Sequence, residues 1–266
     1  MSQESIDANG FEFQTVLFDV TEHVATITLN RPQALNSFNQ RMCDEFEALW
    51  GRVREDDDIH VVVLRAAGDR AFCTGVDVKE GIYRSANVWT QRDPGEQLSP
   101  KFNNVWKPVV CAVHGMAAGG AFYWINESDI VICSEDATFF DPHVTYGMTA
   151  ALEPIGLARR IPLGEVLRIA LLGNDERMSP KRALEVGLVS EVVARDELWD
   201  RAAALAAQIA AKPPAAIQGT VRAIWESLDS TRSQALRHGL SYTQLGNPIG
   251  QAEVDRGSVG RKWELR

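Results

Sequence analysis

Two glycine-containing turns carry the strongest chemical signal in this sequence. The first is Cys73-Thr74-Gly75-Val76-Asp77, after the apolar β-branched run 61–64; the second is Gly115-Met116-Ala117-Ala118-Gly119-Gly120, after the run 109–113. Each stands where a strand pattern gives way to a helix pattern. In layered α/β folds such turns gather at the carboxyl ends of strands, where backbone N–H groups and helix N-termini point at a bound ligand. Tight-turn geometry alone would also account for the glycines. The second turn is not G-x-G-x-x-G, and neither G-x-x-x-x-G-K-[ST] nor G-x-S-x-G occurs, so nicotinamide binding, P-loop chemistry and serine hydrolysis lose support. His23, His60, His114, His143 and His238 form no H-x-x-x-H pair, and Cys43, Cys73, Cys111 and Cys133 form no C-x-x-C pair. No metal site and no disulfide framework are expected; the cysteines should be reduced and mostly buried.

The elements that must position these turns read as an α/β chain. Runs 16–20 and 24–29 are β-prone and close enough for a hairpin. Ser37-Phe38-Asn39-Gln40 has capping-box form and predicts a helix over 38–55, with Met42, Phe46, Leu49 and Val53 on one face. The run 61–64 is that of a strand covered on both faces, completing a strand-helix-strand crossover. The alternation returns as a strand at 109–113, a helix at 119–126 and a strand at 130–133. Ser179-Pro180 predicts a capped helix closed by Gly187, then a strand over 189–193. Helices are expected over 197–212, 215–228 and 233–245, packed as a helical appendage. Residues 1–10 read as a loose tail, 11–195 as the core and 196–266 as the helical region. The stretch 82–100, with Asp93-Pro94-Gly95 inside it, reads as a surface excursion, either a lid or a solvated loop.

Composition narrows the partners. At 266 residues and 45% hydrophobic, the chain can bury a sizeable core, and its net charge of −9 (27 basic, 36 acidic side chains) does not attract a phosphate backbone, so nucleic acid is an improbable partner. No apolar stretch approaches a membrane span and the start lacks a secretion signal, so a cytoplasmic protein without membrane contact is expected.

Several ordered motifs resemble the crotonase (enoyl-CoA hydratase/isomerase) superfamily: Asn30-Arg31-Pro32 with Ala34-Leu35-Asn36, the stretch Ala71 to Glu80, Lys107-Pro108-Val109 through Gly120, and Ala183 to Val189. The likeness covers nearly the whole chain. It implies a spiral of repeated ββα units with a helical C-terminal region, acyl-CoA thioester substrates with coenzyme A as part of the substrate and no separate cofactor, and homotrimers or dimers of trimers. By the same resemblance, the amides of Val76 and Gly120 form an oxyanion hole for the thioester oxygen, and a side chain at 120 would crowd the ligand. Val76, Asp77, Val78 and Lys79 would meet the coenzyme A adenine end, although a single Lys79 is equally a solvated surface residue. His238, Tyr242 and Trp263 are of the kind that can line a neighbouring subunit's acyl pocket.

Where family hydratases carry a pair of glutamates, this chain has Tyr123 and His143. A phenol of reference pKa about 10 is a poor base near neutrality, whereas an imidazole at about 6.5 suits either role. His143 is therefore the expected proton-transfer residue, with Asp141 as a possible ring partner. Tyr123 would orient a carbonyl or simply fill space. Glu153 would pair with His143 if buried near it and drop out if exposed. The resulting expectation is an enoyl-CoA hydratase/isomerase-like enzyme stabilising an enolate. The alternatives are a hydrolase cleaving a carbon-carbon bond of a β-dicarbonyl, and an acyl-CoA-binding protein without turnover.

Overall fold

Val16–Thr21 (β1) and Val24–Leu29 (β2) pair as an antiparallel hairpin. The two-residue turn Glu22-His23 holds both residues at positive φ (51° and 68°), the mirror-image turn whose twist matches paired strands. These features belong to a computed structural model that describes residues 13–257 together with 260, 263 and 265; the tail expected over 1–10 lies outside the described residues.

The first crossover helix, Gln40–Glu55 (α1), leads to Val61–Ala66 (β3), which runs parallel to β2. The helix starts two residues later than expected because Asn39, not Ser37, is its cap: the Asn39 side chain accepts from Met42 N (3.0 Å), and the Ser37 hydroxyl donates back to Ala34 O (2.8 Å). Phe38 cannot join the helix, since its N–H donates to Gly75 O (2.9 Å) and its carbonyl accepts from Asp77 N (2.7 Å).

Val109–Val113 (β5), Ile130–Ser134 (β7) and Glu191–Val193 (β9) continue the large sheet in the order β1-β2-β3-β5-β7-β9. The last strand is shorter than the expected 189–193. A second, parallel sheet was not foreseen: Ala71–Cys73 (β4), Met116–Ala118 (β6) and Thr138–Phe140 (β8), in that order. Strands of three residues are too short for hydrophobic alternation to register. Each core repeat thus places one strand in the large sheet, one in the small sheet, and then a helical piece: Gly95–Leu98 (α2), Phe122–Glu127 (α3) and Leu152–Leu157 (α4). This is the repeated ββα spiral. The helix expected over 119–126 opens instead with a tight 3-10 turn, Gly119–Ala121, before α3.

Leu163–Leu172 (α5) and Pro180–Glu185 (α6) follow; the Ser179 side chain caps α6 by accepting from Arg182 N (3.2 Å), and Gly187 beyond it takes φ 82°. One face of the large sheet buries Ile27, Leu29, Val62 and Leu64 with Phe46, Trp50 and Trp124. The other face, Val61, Val63, Val110, Ala112 and Ile132, is covered by Leu198, Ala202 and Ala206 of Leu198–Ala210 (α7). This helix is therefore a layer of the core rather than part of an appendage. Pro214–Ser227 (α8) and Arg232–Ala252 (α9) pack mainly on each other. The last helix runs seven residues beyond the expected end at 245, through Pro248. Its small residues lie close against α8: a Cβ on Gly250 would stand 3.1 Å from Ala216 Cβ. That packing outweighs the loss of one helical hydrogen bond at the proline. All four cysteines are buried and free.

Candidate active site

The small sheet assembles the site. Its three parallel strands end in three consecutive turns: Thr74-Gly75-Val76 after β4, Gly119-Gly120 after β6, and Asp141-Pro142-His143 after β8. The first two glycine turns therefore follow the short strands and not, as the sequence pattern suggested, the long ones. The β4-β6-β8 order sets the turns side by side. Gly75 (φ 86°) and Gly119 (φ 50°) occupy the left-handed region, and they touch the neighbouring turns: a Cβ on Gly75 would stand 3.1 Å from Gly120 N, one on Gly119 3.6 Å from His143 Cε1.

In the parallel bridge between Phe38 and Val76, the hydrogen bonds use Gly75 O and Asp77 N, so the N–H of Val76 points away from Phe38. Among the described residues no neighbouring peptide group accepts from the N–H of Val76 or of Gly120. A side chain at position 120 would not meet a ligand first, as expected from resemblance; its Cβ would fall 2.4 Å from Cε1 of the Phe38 ring.

The stretch 76–80 divides in two. Val76, Val78 and Lys79 are exposed, whereas Asp77 is buried and turned inward. Its carboxylate accepts from Lys79 N (3.0 Å) and Glu80 N (3.2 Å) and meets Arg31 Nη2 at 3.0 Å. These contacts hold its carboxyl below the usual range against the opposing effect of burial. Asp77 shapes the turn. Arg31 also reaches Glu80 Oε1 (2.6 Å) and Ser37 O (2.6 Å), so the Asn30-Arg31-Pro32 motif is what fastens this segment.

His143, Glu153 and Tyr123 come together. His143 lies in a 3-10 turn directly after β8, its backbone N–H donating to Asp141 Oδ1 at 3.0 Å. Its Nδ1 donates to the same oxygen (2.5 Å), which leaves Nε2 facing Glu153 Oε1 at 4.0 Å. The hydrogen bond to Asp141 holds the imidazole above the usual histidine range, against partial burial. Glu153, in the first turn of α4, is only 6% exposed, and burial pushes its carboxyl up. The condition set for a His143–Glu153 pair is met. Tyr123, on α3, is not mere filler: its hydroxyl donates to Asp93 Oδ1 (2.7 Å), while burial, Glu153 and Asp93 push the phenol up. Asp141, His143 and Glu153 offer ligand atoms within 4.8 Å of one another, a spacing a cation could use. Asp141 Oδ1 takes two hydrogen bonds from His143, while Oδ2 is buried without a partner among the described residues.

Two contributors escaped the sequence reading. Asp93 belongs to the excursion over 82–100, whose lack of periodicity gave no hint of a partner thirty residues away. A cleft of about 470 Å³ opens beside Tyr123, walled by Phe102, Trp106, Leu152, Ile155 and Trp225. Trp225 comes from α8, so the helical region lines it within the same chain. Tyr242 bonds Glu226 of its own chain.

Short ββα repeats that gather three turns at one end of a small parallel sheet define a crotonase-type fold. The chain belongs to the enoyl-CoA hydratase/isomerase family, whose profile matches residues 19–258. It is an enzyme of that family. It is 35% identical over 232 residues to (E)-benzylidenesuccinyl-CoA hydratase of Thauera aromatica, covering 86% of this chain and 88% of that protein. It is 30% identical over 216 residues to the short-chain-enoyl-CoA hydratase of Clostridium acetobutylicum, covering 80% and 82%. Among solved structures, an enoyl-CoA hydratase/isomerase from Mycobacterium paratuberculosis superimposes with TM-score 0.80 at 38% identity, over 88% of this chain and 90% of that one.

Proposed function

We propose that the chain acts on an enoyl-CoA thioester by adding water through an enolate held at the Val76 and Gly120 amides, with His143 and Glu153 moving the protons. The observation that carries this reading is the 4.0 Å separation of His143 Nε2 and Glu153 Oε1. It exceeds a hydrogen bond, yet one water bonded to both at about 2.8 Å spans it. Asp141 fixes the imidazole tautomer so that Nε2 takes a proton as that water attacks the β-carbon. The thioester oxygen then gains negative charge, and two amide donors stabilise it; losing one such donor costs about 2.7 to 4 kcal/mol of barrier. Glu153, kept protonated further toward neutrality by burial, returns a proton to the α-carbon. Coenzyme A enters as part of the substrate, across the exposed face of Val76, Val78 and Lys79, and no separate cofactor takes part.

The aromatic walls of the cleft beside Tyr123 favour a flat, ring-bearing acyl end, and a relative is named for benzylidenesuccinyl-CoA, so aryl-substituted enoyl-CoA esters come first in the trial. Exposed Leu163, Leu167 and Leu171 form an apolar stripe along α5 that supports assembly as a homotrimer or dimer of trimers, which light scattering would test. The deciding experiment follows the enoyl absorbance of crotonyl-CoA, longer enoyl-CoAs and cinnamoyl-type esters. Hydration that depends on His143 and Glu153 is expected; ordinary rates in His143→Ala would overturn the assignment. The Asp141–His143 contact also suits water activation for hydrolysis. Free acid or a ring-opened product from a β-dicarbonyl substrate would establish that second reading, while tight binding without turnover of any CoA ester would mark a binding protein.

A further inference from the structure

The cleft beside Tyr123 follows α3 away from the acid–base group. Tyr123, Asn126 and Glu127 line it from one face of that helix, and Leu152, next to Glu153, flanks it from α4. Two residues past Glu127 stands Asp129, whose carboxylate holds the indole of Trp225. Its Oδ1 accepts from Trp225 Nε1 (2.6 Å), and its Oδ2 accepts from Val109 N (2.7 Å) and Lys101 Nζ (3.0 Å). Lys101 Nζ also lies over the indole, 5.4 Å from the ring centre. Asp129 directly precedes β7 and Val109 opens β5, so the indole is tied to the ends of two central strands. Nothing else on α8 is held this way. The helix buries no residue, and among the described residues Trp225 makes the one side-chain hydrogen bond from α8 to the core.

We propose that Trp225 is a specificity-determining residue: its fixed indole ends the acyl cleft, so that the site takes a short, ring-bearing acyl group and refuses a long-chain one. This rests on the reading of the cleft as the acyl site of an enzyme acting on CoA esters. From Tyr123 to Glu127 is about one turn of helix, roughly 6 Å along its axis. An acyl group laid along that turn reaches the indole after a single ring. A longer chain must push the indole aside, which breaks its hydrogen bond to Asp129 and withdraws it from Lys101. A flat ring meets indole planes instead, because Trp106 also lines the cleft, with the Arg222 guanidinium 5.4 Å from its own ring centre.

The test is calorimetric binding of two saturated esters that cannot be hydrated, 3-phenylpropanoyl-CoA and dodecanoyl-CoA, to the parent and to Trp225→Ala. The parent should bind the phenylpropanoyl ester about tenfold more tightly. In Trp225→Ala the cleft loses its end wall, so the dodecanoyl ester should gain about tenfold while the phenylpropanoyl ester weakens, and the order reverses. An unchanged order in Trp225→Ala, or a parent that prefers the dodecanoyl ester, would overturn the role of Trp225. If Trp225→Ala does not fold, Trp225→Phe, which loses the hydrogen bond to Asp129, should move the preference the same way by about threefold, and an unmoved preference there would overturn the role too. In turnover, kcat/KM for cinnamoyl-type against long-chain enoyl-CoAs should reverse with the binding order. Should no CoA ester be turned over, the hydratase reading falls while the binding order still decides on Trp225.

Discussion

The amides at Val76 and Gly120 and the side chains at positions 123, 143 and 153 all lie in the turns and helices that follow the small sheet's strands, yet different forces hold them. The amide half is backbone fixed by packing: Gly75 closes on Gly120, Phe38 fills the space behind Gly120, and Arg31 fastens the segment after Val76. The side-chain half hangs on a string of polar contacts, from Asp141 through His143 toward Glu153, and from Tyr123 to Asp93. A backbone site tolerates almost any neighbouring side chain and so persists while the chemistry beside it changes. The side-chain half, Tyr123, His143 and Glu153, is where the proposed proton transfers would take place.

Breaking the amide half should have the largest effect. Gly120→Ala drives a methyl to within 2.4 Å of Phe38 and displaces the turn; kcat/KM on the best enoyl-CoA should drop by about 10³-fold or more with a lowered Tm, and near-normal activity would refute the amide role. Glu153→Gln tests the other half. A fall of about 10²- to 10⁴-fold in kcat is expected, with coenzyme A ester affinity kept in equilibrium binding. Asp141→Asn is milder, about tenfold in kcat. Because the Asp141 hydrogen bond holds the imidazole up, and a base must be neutral to act, its loss should move the acid limb of kcat/KM to lower pH.

A half-buried carboxyl at the end of α3, the helix that carries Tyr123, sharpens the contrast. Burial pushes Glu127, which accepts from Lys101 N (2.8 Å), up to about 7 from 4.5. A carboxyl raised in the folded state lends stability that is fully present below about 4.5 and is lost as pH rises through about 7. Glu127→Gln should flatten that decline, on the order of 2 kcal/mol, in denaturant melts at pH 4.5 and 7.5. The smallest effect is expected for Lys79→Ala, about a two- to fivefold rise in KM with kcat unchanged. An unaltered KM would make Lys79 a solvated surface residue.

What the sequence made legible follows from burial and length. The strands at 61–66, 109–113 and 130–134 are buried on both faces and read as continuous apolar runs, so they were expected within two residues. Both glycine turns were visible because positive φ restricts the residue type. The small sheet escaped because its strands are three residues long, although it is the element that gathers the site. Arg31 belonged to a motif that was noticed, but its partners Asp77 and Glu80 lie over 40 residues away, beyond any local pattern. Glu153, beside Pro154 in a first helical turn, looked as much like a surface acid as a buried one. Only the approach of α4 to α3 decides it, with Asn126 donating to Glu153 O at 2.9 Å.

The four buried cysteines have a practical consequence. Burial pushes each thiol up to about 12, so almost none is thiolate at neutral pH. Maleimides and mild oxidants should leave the folded enzyme untouched. A single cysteine installed at exposed Val88, in the excursion that carries Asp93, would then be the sole site to take a fluorophore, and its emission would follow that stretch as substrate arrives.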